Sequence, residues 1–130
     1  MSNGSGYNDS GYRTETLFVD TPAFSVVRRR SDGTVVPTTA IIDLPYGITT
    51  KAGLAGQQVT VAMLSKMGSY LVISATPLPA GSRATLSTTP GKITAPGGTG
   101  VWSPGVLLQE SLGDGAATEM LLHPYFIPAP

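Results

Sequence analysis

The side chains that could perform catalysis are few and lie far apart in the sequence. His123 is the only histidine, and the 130 residues include no cysteine, which excludes disulfides, thiol catalysis and zinc–thiolate sites. A Ser–His–acid triad would have to use His123, yet no serine stands in the Gly-x-Ser-x-Gly context of a nucleophile elbow. The acidic residues are scattered singly, without the spacing of a metal-binding loop. We therefore expect His123 to be a surface residue before Pro124.

Two further kinds of catalytic or binding site are also poorly supported by the sequence. A carboxylate pair for glycoside cleavage would have to come from Glu110, Asp114 or Glu119, which fall at a strand end, in a turn and on a strand. The glycine cluster at residues 97–100 lacks both the Gly-Lys-Ser/Thr ending and the following helix of a phosphate-binding loop. The sequence predicts a protein that is not an enzyme, with no catalytic, cofactor-binding or metal-binding residue and no cofactor.

Arginine and aromatic residues are better suited to recognition. The run Arg28-Arg29-Arg30 is either a solvated strand end or a contact for an acidic partner surface, where guanidinium–carboxylate pairing adds specificity. Trp102, the sole tryptophan, is either a core residue or an interface anchor. The interface residues that we predict lie in four segments: Tyr7, Tyr12 and Arg13 near the start, Arg28, Arg29 and Arg30, then Trp102, and finally Tyr125, Phe126 and Ile127.

The composition restricts the classes of partner. Only 12% of the residues are charged and the formal net charge is zero, which argues against general nucleic-acid binding. The apolar runs are too short to span a bilayer. The first twelve residues lack the basic start and apolar middle of a secretory signal. We expect no nucleic-acid partner and no membrane association.

Short alternating segments separated by turn residues dominate the chain, which includes 16 glycines and 11 prolines. No window of helical length has an uninterrupted amphipathic pattern. This pattern predicts an all-β fold, a compact antiparallel β-barrel or sandwich of short strands with extended N- and C-terminal arms. The predicted strands cover residues 16–20, 23–30, 39–44, 57–64, 70–75, 82–87, 92–95, 105–110 and 116–122, and a turn is predicted at residues 31–34.

The same pattern predicts one β-domain between two terminal segments. Residues 1–15 are expected to form a flexible arm, and residues 123–130 a stiff tail that carries aromatic side chains between prolines. The domain covers residues 16–122, with an N-terminal β segment at 16–44 and the main core at 45–122. Extended termini of this kind can add strands to a partner's sheet.

From about residue 45 to residue 122, strand order and glycine placement are similar to those of a known family. The relevant motifs are Tyr46-Gly47-Ile48, Ala52–Val61, Tyr70–Ala75, Pro79–Ala84, Pro90–Thr94, Pro104–Ser111 and Glu119–Leu122. The segment resembles the capsid decoration, or cement, proteins of tailed bacteriophages. It departs from their pattern at Leu107-Leu108-Gln109, where the family more often has a small residue and an acid.

The resemblance implies a viral structural protein on the outer capsid surface of the virion, assembled in the host cytoplasm. Such a protein binds the major capsid protein of an icosahedral head and stabilises contacts between neighbouring capsomers. It is expected to self-associate, as a trimer or else a dimer. Two other functions stay open: another virion β-module, such as a tail, fibre-base or head-completion subunit, and a carbohydrate-binding module with an aromatic platform.

Overall fold

The computed structural model describes residues 11–66, 68–95, 99–113 and 115–128. These residues contain ten β-strands and no helix, so none of them forms a helix that could cross a membrane. The predicted all-β class is confirmed. The strands are β1 Tyr12–Thr16, β2 Val26–Arg29, β3 Val35–Pro37, β4 Gly47–Thr49, β5 Gln58–Met63, β6 Ser69–Ser74, β7 Thr85–Leu86, β8 Ile93–Thr94, β9 Val101–Leu107 and β10 Ala116–Ile127.

The N-terminal five strands form one curled antiparallel sheet in the order β1-β5-β4-β2-β3. Leu17, just after β1, forms a parallel bridge with Val35 of β3, and the Phe18 N–H donates to the Val35 carbonyl at 2.9 Å. This bridge links the two edges of the sheet. Side chains inside the curl form one apolar cluster, made of Leu17, Val27, Val35, Val59 and Val61, with Tyr46 and Met63 packed against it.

The C-terminal five strands form a second sheet in the order β7-β8-β6-β10-β9. The long strand β10 lies between β6 and β9 and is antiparallel to both, whereas β6 and β8 are parallel. Arg83, before β7, forms an isolated bridge with Val106 of β9. This bridge brings the segment before β7 alongside the far edge, so the second sheet also curves.

The larger core lies between the two sheets. Val26 and Ile48 of the first sheet pack with Val72, Leu86, Ile93, Leu107 and Met120 of the second, among others, and all are buried. Val26 and Val27 are adjacent in β2 and therefore point to opposite sides. One valine enters the core between the sheets and the other enters the curl of the first sheet, so β2 has no solvent-facing side at this point.

The predicted strand at residues 39–44 is wrong, and the one predicted at residues 16–20 is displaced, because β1 covers Tyr12–Thr16. The Asp43 carboxylate accepts hydrogen bonds from the backbone N–H groups of Thr39, at 2.9 Å, and Ala40, at 3.2 Å, which closes a turn. Ile42 is consequently 75% exposed. Its apolar side chain suggested a strand, but the aspartate side chain satisfies the backbone donors that strand pairing would otherwise use. The strands β3 and β4, on either side of this turn, were not predicted.

Both terminal segments overlap with regular structure. Residues 12–15 of the predicted arm belong to β1, where Tyr12 lies opposite Ala62 and Glu15 opposite Val59. Residues 123–127 of the predicted tail belong to β10, where Phe126 lies opposite Trp102. Backbone pairing with an already ordered strand extends these segments beyond what local sequence suggested. Residues 1–10 of the arm and 129–130 of the tail lie outside the described residues.

Proline explains an interruption in the β9–β10 ladder. The register shifts between Leu122 and Tyr125, where two residues of β10 lie opposite one residue of β9. Pro104 and Pro124 stand at this bulge, and neither can donate a ladder hydrogen bond. Strand β6 pairs with β10 only as far as Leu121. Beyond the bulge the two strands continue as a ribbon.

Candidate functional site: an arginine cluster and an aromatic end

The first group of predicted interface residues surrounds a buried carboxylate at one side of the curled sheet. Glu15 of β1 is only 5% exposed and accepts a 2.5 Å hydrogen bond from the Tyr46 hydroxyl. Arg13 and Arg29 place nitrogens 3.5 Å and 3.7 Å from the same carboxylate oxygen. Arg29 also donates to the Tyr46 hydroxyl at 3.1 Å. We call Arg13, Glu15, Arg29 and Tyr46 the arginine cluster.

The electrostatics of this cluster favour the neutral form of the tyrosine. Burial raises the pKa of Tyr46 above its ordinary value, and the hydrogen bond and charge of Glu15 raise it further. The hydrogen bond from Arg29 and the charge of Arg13 act in the opposite direction. The buried carboxylate therefore has two cations and a hydroxyl donor around it, as a buried charge requires. The cluster therefore connects β1, β2 and Tyr46, the residue before β4, and has a structural role.

The other two arginines of the run also contact acids of their own chain. Arg28 lies 3.9 Å from Asp43, and Arg30 lies 2.8 Å from Asp32. The Arg30 guanidinium also stacks over the exposed Phe18 ring, 3.4 Å from the centroid. An acidic partner would have to compete with these contacts. Beside them is an open groove of about 280 Å³, lined by Arg28, Arg29, Leu44, Pro45 and Tyr46.

The second group of predicted residues meets at the end of the β9–β10 ribbon. Trp102 and Phe126 lie opposite each other, with ring centroids 5.3 Å apart in an edge-to-face arrangement. Tyr125 lies opposite Ser103, and Ile127 opposite Val101. The pairing of the two strands thus unites residues that are more than twenty positions apart in sequence. We call Trp102, Tyr125, Phe126 and Ile127 the aromatic end.

The aromatic end is a surface feature. Trp102 is half-buried and belongs to neither apolar core cluster, whereas Tyr125 and Phe126 are exposed. The Arg83 guanidinium stacks over the Tyr125 ring at 4.7 Å and lies 3.4 Å from Nδ1 of His123. Of the two roles considered for Trp102, the position outside the cores favours interface anchor over core residue.

The remaining predicted residues lie apart from these groups. Tyr12 packs edge-to-face against Tyr70, with centroids 6.3 Å apart, and the Lys66 ammonium lies 5.6 Å from the Tyr12 ring. Tyr7 lies outside the described residues. The predicted N-terminal interface therefore does not form one patch, because Tyr12 and Arg13 are neighbours in β1 and point to opposite sides of it.

Four residues that organise these groups were not among the predicted interface residues: Glu15, Tyr46, Arg83 and His123. Glu15 could have been found, since it lies two residues before Leu17 and a strand places both side chains on the same, inward side. The roles of Tyr46, Arg83 and His123 depend on long-range contacts that no local pattern encodes. Among the described residues, no three His, Cys, Asp or Glu side chains come together as a metal site.

Comparison with known proteins identifies a structural relative. No protein-family model matches this chain, and no curated protein sequence matches it. The fold is similar to the N base of the head fibre protein gp8.5 of bacteriophage phi29, known from a crystal structure. The TM-score is 0.67 at 15% sequence identity, over 85% of this chain and 92% of that chain. At this identity the similarity concerns the fold.

Proposed function

We propose that this chain is a structural protein of a tailed-phage virion, which binds the outer surface of the head as a decoration protein. The observation that carries the proposal is the fold shared with a head fibre base, over nearly the whole length of both chains. A fold alone does not fix a function. The proposal therefore also depends on surfaces suited to docking and on the sequence resemblance to decoration proteins.

The surface chemistry supports lattice binding over catalysis. The aromatic end offers two exposed rings beside an arginine, a combination typical of interface hot spots. The formal net charge is zero, so docking would depend mainly on shape and apolar contact. Each copy gains about 25 cal/mol per Å² of buried apolar area before association costs. Many copies bound to one head would together raise the barrier to separating capsomers.

The expected partners follow from this role. The chain would bind the major capsid protein and associate with itself, as a trimer or a dimer, without nucleic acid or membrane. It would reside on the outside of the virion and would have no enzymatic activity. A turnover measured with purified protein, and abolished by changing one polar side chain, would contradict the last point.

The direct test is a binding assay on heads from a phage that lacks the gene for this chain. Purified protein is mixed with these heads, and bound copies are counted by cosedimentation and cryo-electron microscopy. We expect saturable binding at a fixed number of copies per head, at equivalent positions of the lattice. A Trp102→Ala, Phe126→Ala variant should bind more weakly, and an Ile42→Ala variant, in an exposed turn, should bind normally. Absence of wild-type binding at micromolar concentration would refute the proposal.

A second candidate function is the base of a head fibre, favoured by the similarity to the gp8.5 base. The two roles differ in what the protein does for the head. A decoration protein should raise the temperature at which full heads release their DNA, whereas a fibre base should leave that temperature unchanged. Measuring DNA release on heating, with and without bound protein, distinguishes them. A glycan array tests the carbohydrate-binding alternative, which predicts specific retention of one sugar class.

A further inference from the structure

The outer side of the second sheet is apolar at positions where a solvated sheet is normally polar. In strands β6, β9 and β10 the inward residues Val72, Leu107 and Met120 are buried. Of their six neighbours, which point the other way, five are also apolar and the sixth is Glu119. An antiparallel sheet with one solvated face typically alternates between apolar and polar residues, and this region does not. We name the eight outward positions the leucine face: Ser69, Leu71, Ile73, Val106, Leu108, Ala117, Glu119 and Leu121.

The strand register fixes the arrangement of this face. Glu119 of β10 lies opposite Leu71 of β6, and the Leu108 N–H donates to the Glu119 carbonyl at 2.9 Å on the other side. Two residues further along β10, Leu121 lies between Ser69 of β6 and Val106 of β9. Leu71 and Leu121 are each 39% exposed and Leu108 is 47% exposed. Three leucines thus surround one carboxylate on a continuous sheet surface.

Glu119 is the only ionisable side chain among the eight residues of the leucine face. Its carboxylate accepts a hydrogen bond from the Ser69 hydroxyl on the same face. The serine satisfies part of its hydrogen-bonding capacity and leaves the negative charge without a compensating cation on this face. A surface that covers the leucines would desolvate this charge, so it must supply a basic group to avoid a large penalty.

The leucine face extends toward the aromatic end. Trp102 and Val106 are four residues apart in β9. The bulge that shifts the register adds its extra residue to β10 and not to β9. Trp102 therefore points to the same side of β9 as Val106. One contact surface can run from Ile73 across the leucines to Trp102 and Phe126. Contiguous exposed apolar side chains of this kind are typical of interaction sites.

Charge decides which occupant fits. Two copies of this chain packed face to face would bring two Glu119 carboxylates into one apolar interface, where like charges are strongly unfavourable. We propose that the leucine face docks on a capsid-protein surface that is apolar and presents one arginine or lysine to Glu119. This inference rests on the proposed function and adds to it the docking face and the chemistry of the partner.

The test uses full-length variants in the assay with heads that lack this protein. Leu71→Glu and Leu108→Glu should each weaken binding at least about tenfold, as loss of an interface hot spot does. Leu54→Glu is the matched control: Leu54 is 60% exposed, lies in a loop of the first sheet, and should leave binding unchanged. Glu119→Lys should weaken binding as much as the leucine variants, and Glu119→Gln should weaken it less. Thermal unfolding identifies any variant that has lost its fold, and Glu119→Gln then carries the test.

The outcomes separate this inference from the proposed function. If the wild type binds heads and the leucine-face variants bind equally well, the docking face is wrong and the function stands. If the wild type does not bind, both fail. Sedimentation without heads tests the other occupant. A wild-type oligomer that Leu71→Glu converts to monomers would assign the face to a second copy of the chain and overturn the inference.

Discussion

The arginine cluster predicts how one hydroxyl group contributes to stability. Tyr46→Phe removes the oxygen that donates to the Glu15 carboxylate at 2.5 Å and accepts from Arg29 at 3.1 Å. Hydrogen bonds to charged groups contribute about 1.5–3 kcal/mol, and Glu15 is too buried for water to replace the lost donor fully. The two nearby arginines still compensate the charge. We therefore expect the free energy of unfolding to fall by about 2 kcal/mol at pH 7.

The size of this difference should depend on pH in a defined direction. The pKa of Tyr46 is raised in the folded protein, whereas tyrosine in the unfolded chain titrates near pH 10, at about its ordinary value. As the pH rises above about 10, the unfolded state loses the Tyr46 proton first, and the wild type loses stability by at most about 1.4 kcal/mol per pH unit. Tyr46→Phe lacks this loss. The gap between the two proteins should therefore shrink in alkali.

Urea unfolding at pH 7, 9 and 11, followed by tryptophan fluorescence or circular dichroism, measures both effects. Tyr125→Phe is the matched control, because it removes the same atom from an exposed ring and should change stability by less than about 0.5 kcal/mol. The other tyrosines are common to wild type and variant and cancel in the difference. The reasoning fails if Tyr46→Phe costs no more than Tyr125→Phe, or if the gap stays constant between pH 7 and pH 11.

Three further predictions concern the fold around the proposed surfaces. Gly105→Ala should destabilise the protein by roughly 2 kcal/mol or more, because a Cβ there would lie 2.0 Å from the Leu121 carbonyl oxygen. If this variant melts at the wild-type temperature, β9 and β10 do not approach each other so closely. Alanine substitutions of Trp102 and Phe126 should show a coupling of about 0.5–1.5 kcal/mol in a double-mutant cycle of urea unfolding, and additivity would mean that the ring contact contributes nothing. Asp43→Ala should cost about 1 kcal/mol, measured by thermal unfolding, since the turn loses the acceptor of two backbone hydrogen bonds; an unchanged midpoint would show that the turn closes without it.

The sequence-based predictions were most accurate where residues close together in the chain determine the structure. Strand β5 was predicted within a residue at each end, because alternation places Val59 and Val61 on one side of a continuous segment. The turn at residues 31–34 is confirmed as well: the Arg30 N–H donates to the Thr34 carbonyl at 2.7 Å, and Gly33 has a φ of 88°. In both cases neighbouring residues contain the physical cause.

The errors had one local and one long-range cause. The local cause is Asp43, which bonds to the backbone of Thr39 four residues earlier and closes a turn where the apolar residues were taken for a strand. The long-range cause concerns the tail predicted from His123-Pro124: β6 begins at Ser69, opposite Leu121, so its pairing with β10 ends there, but β9 continues as a partner. Trp102 was left outside the predicted strands, since the strand predicted at 105–110 begins later than β9, which covers Val101–Leu107.

The sequence by itself determined the class of fold, because the alternation of apolar and polar residues and the positions of turn residues are local properties. Its composition also showed that the chain has no cysteine and a formal net charge of zero. It also identified the aromatic residues that form the aromatic end. Only the tertiary structure decided that Trp102 and Phe126 meet and that Arg13, Arg29 and Tyr46 surround Glu15. It also decided that Glu119 lies among leucines of β6, of β10 and of the residue after β9. Those arrangements depend on strand register and sheet order, which are set by packing over the whole chain and are not written in any one segment.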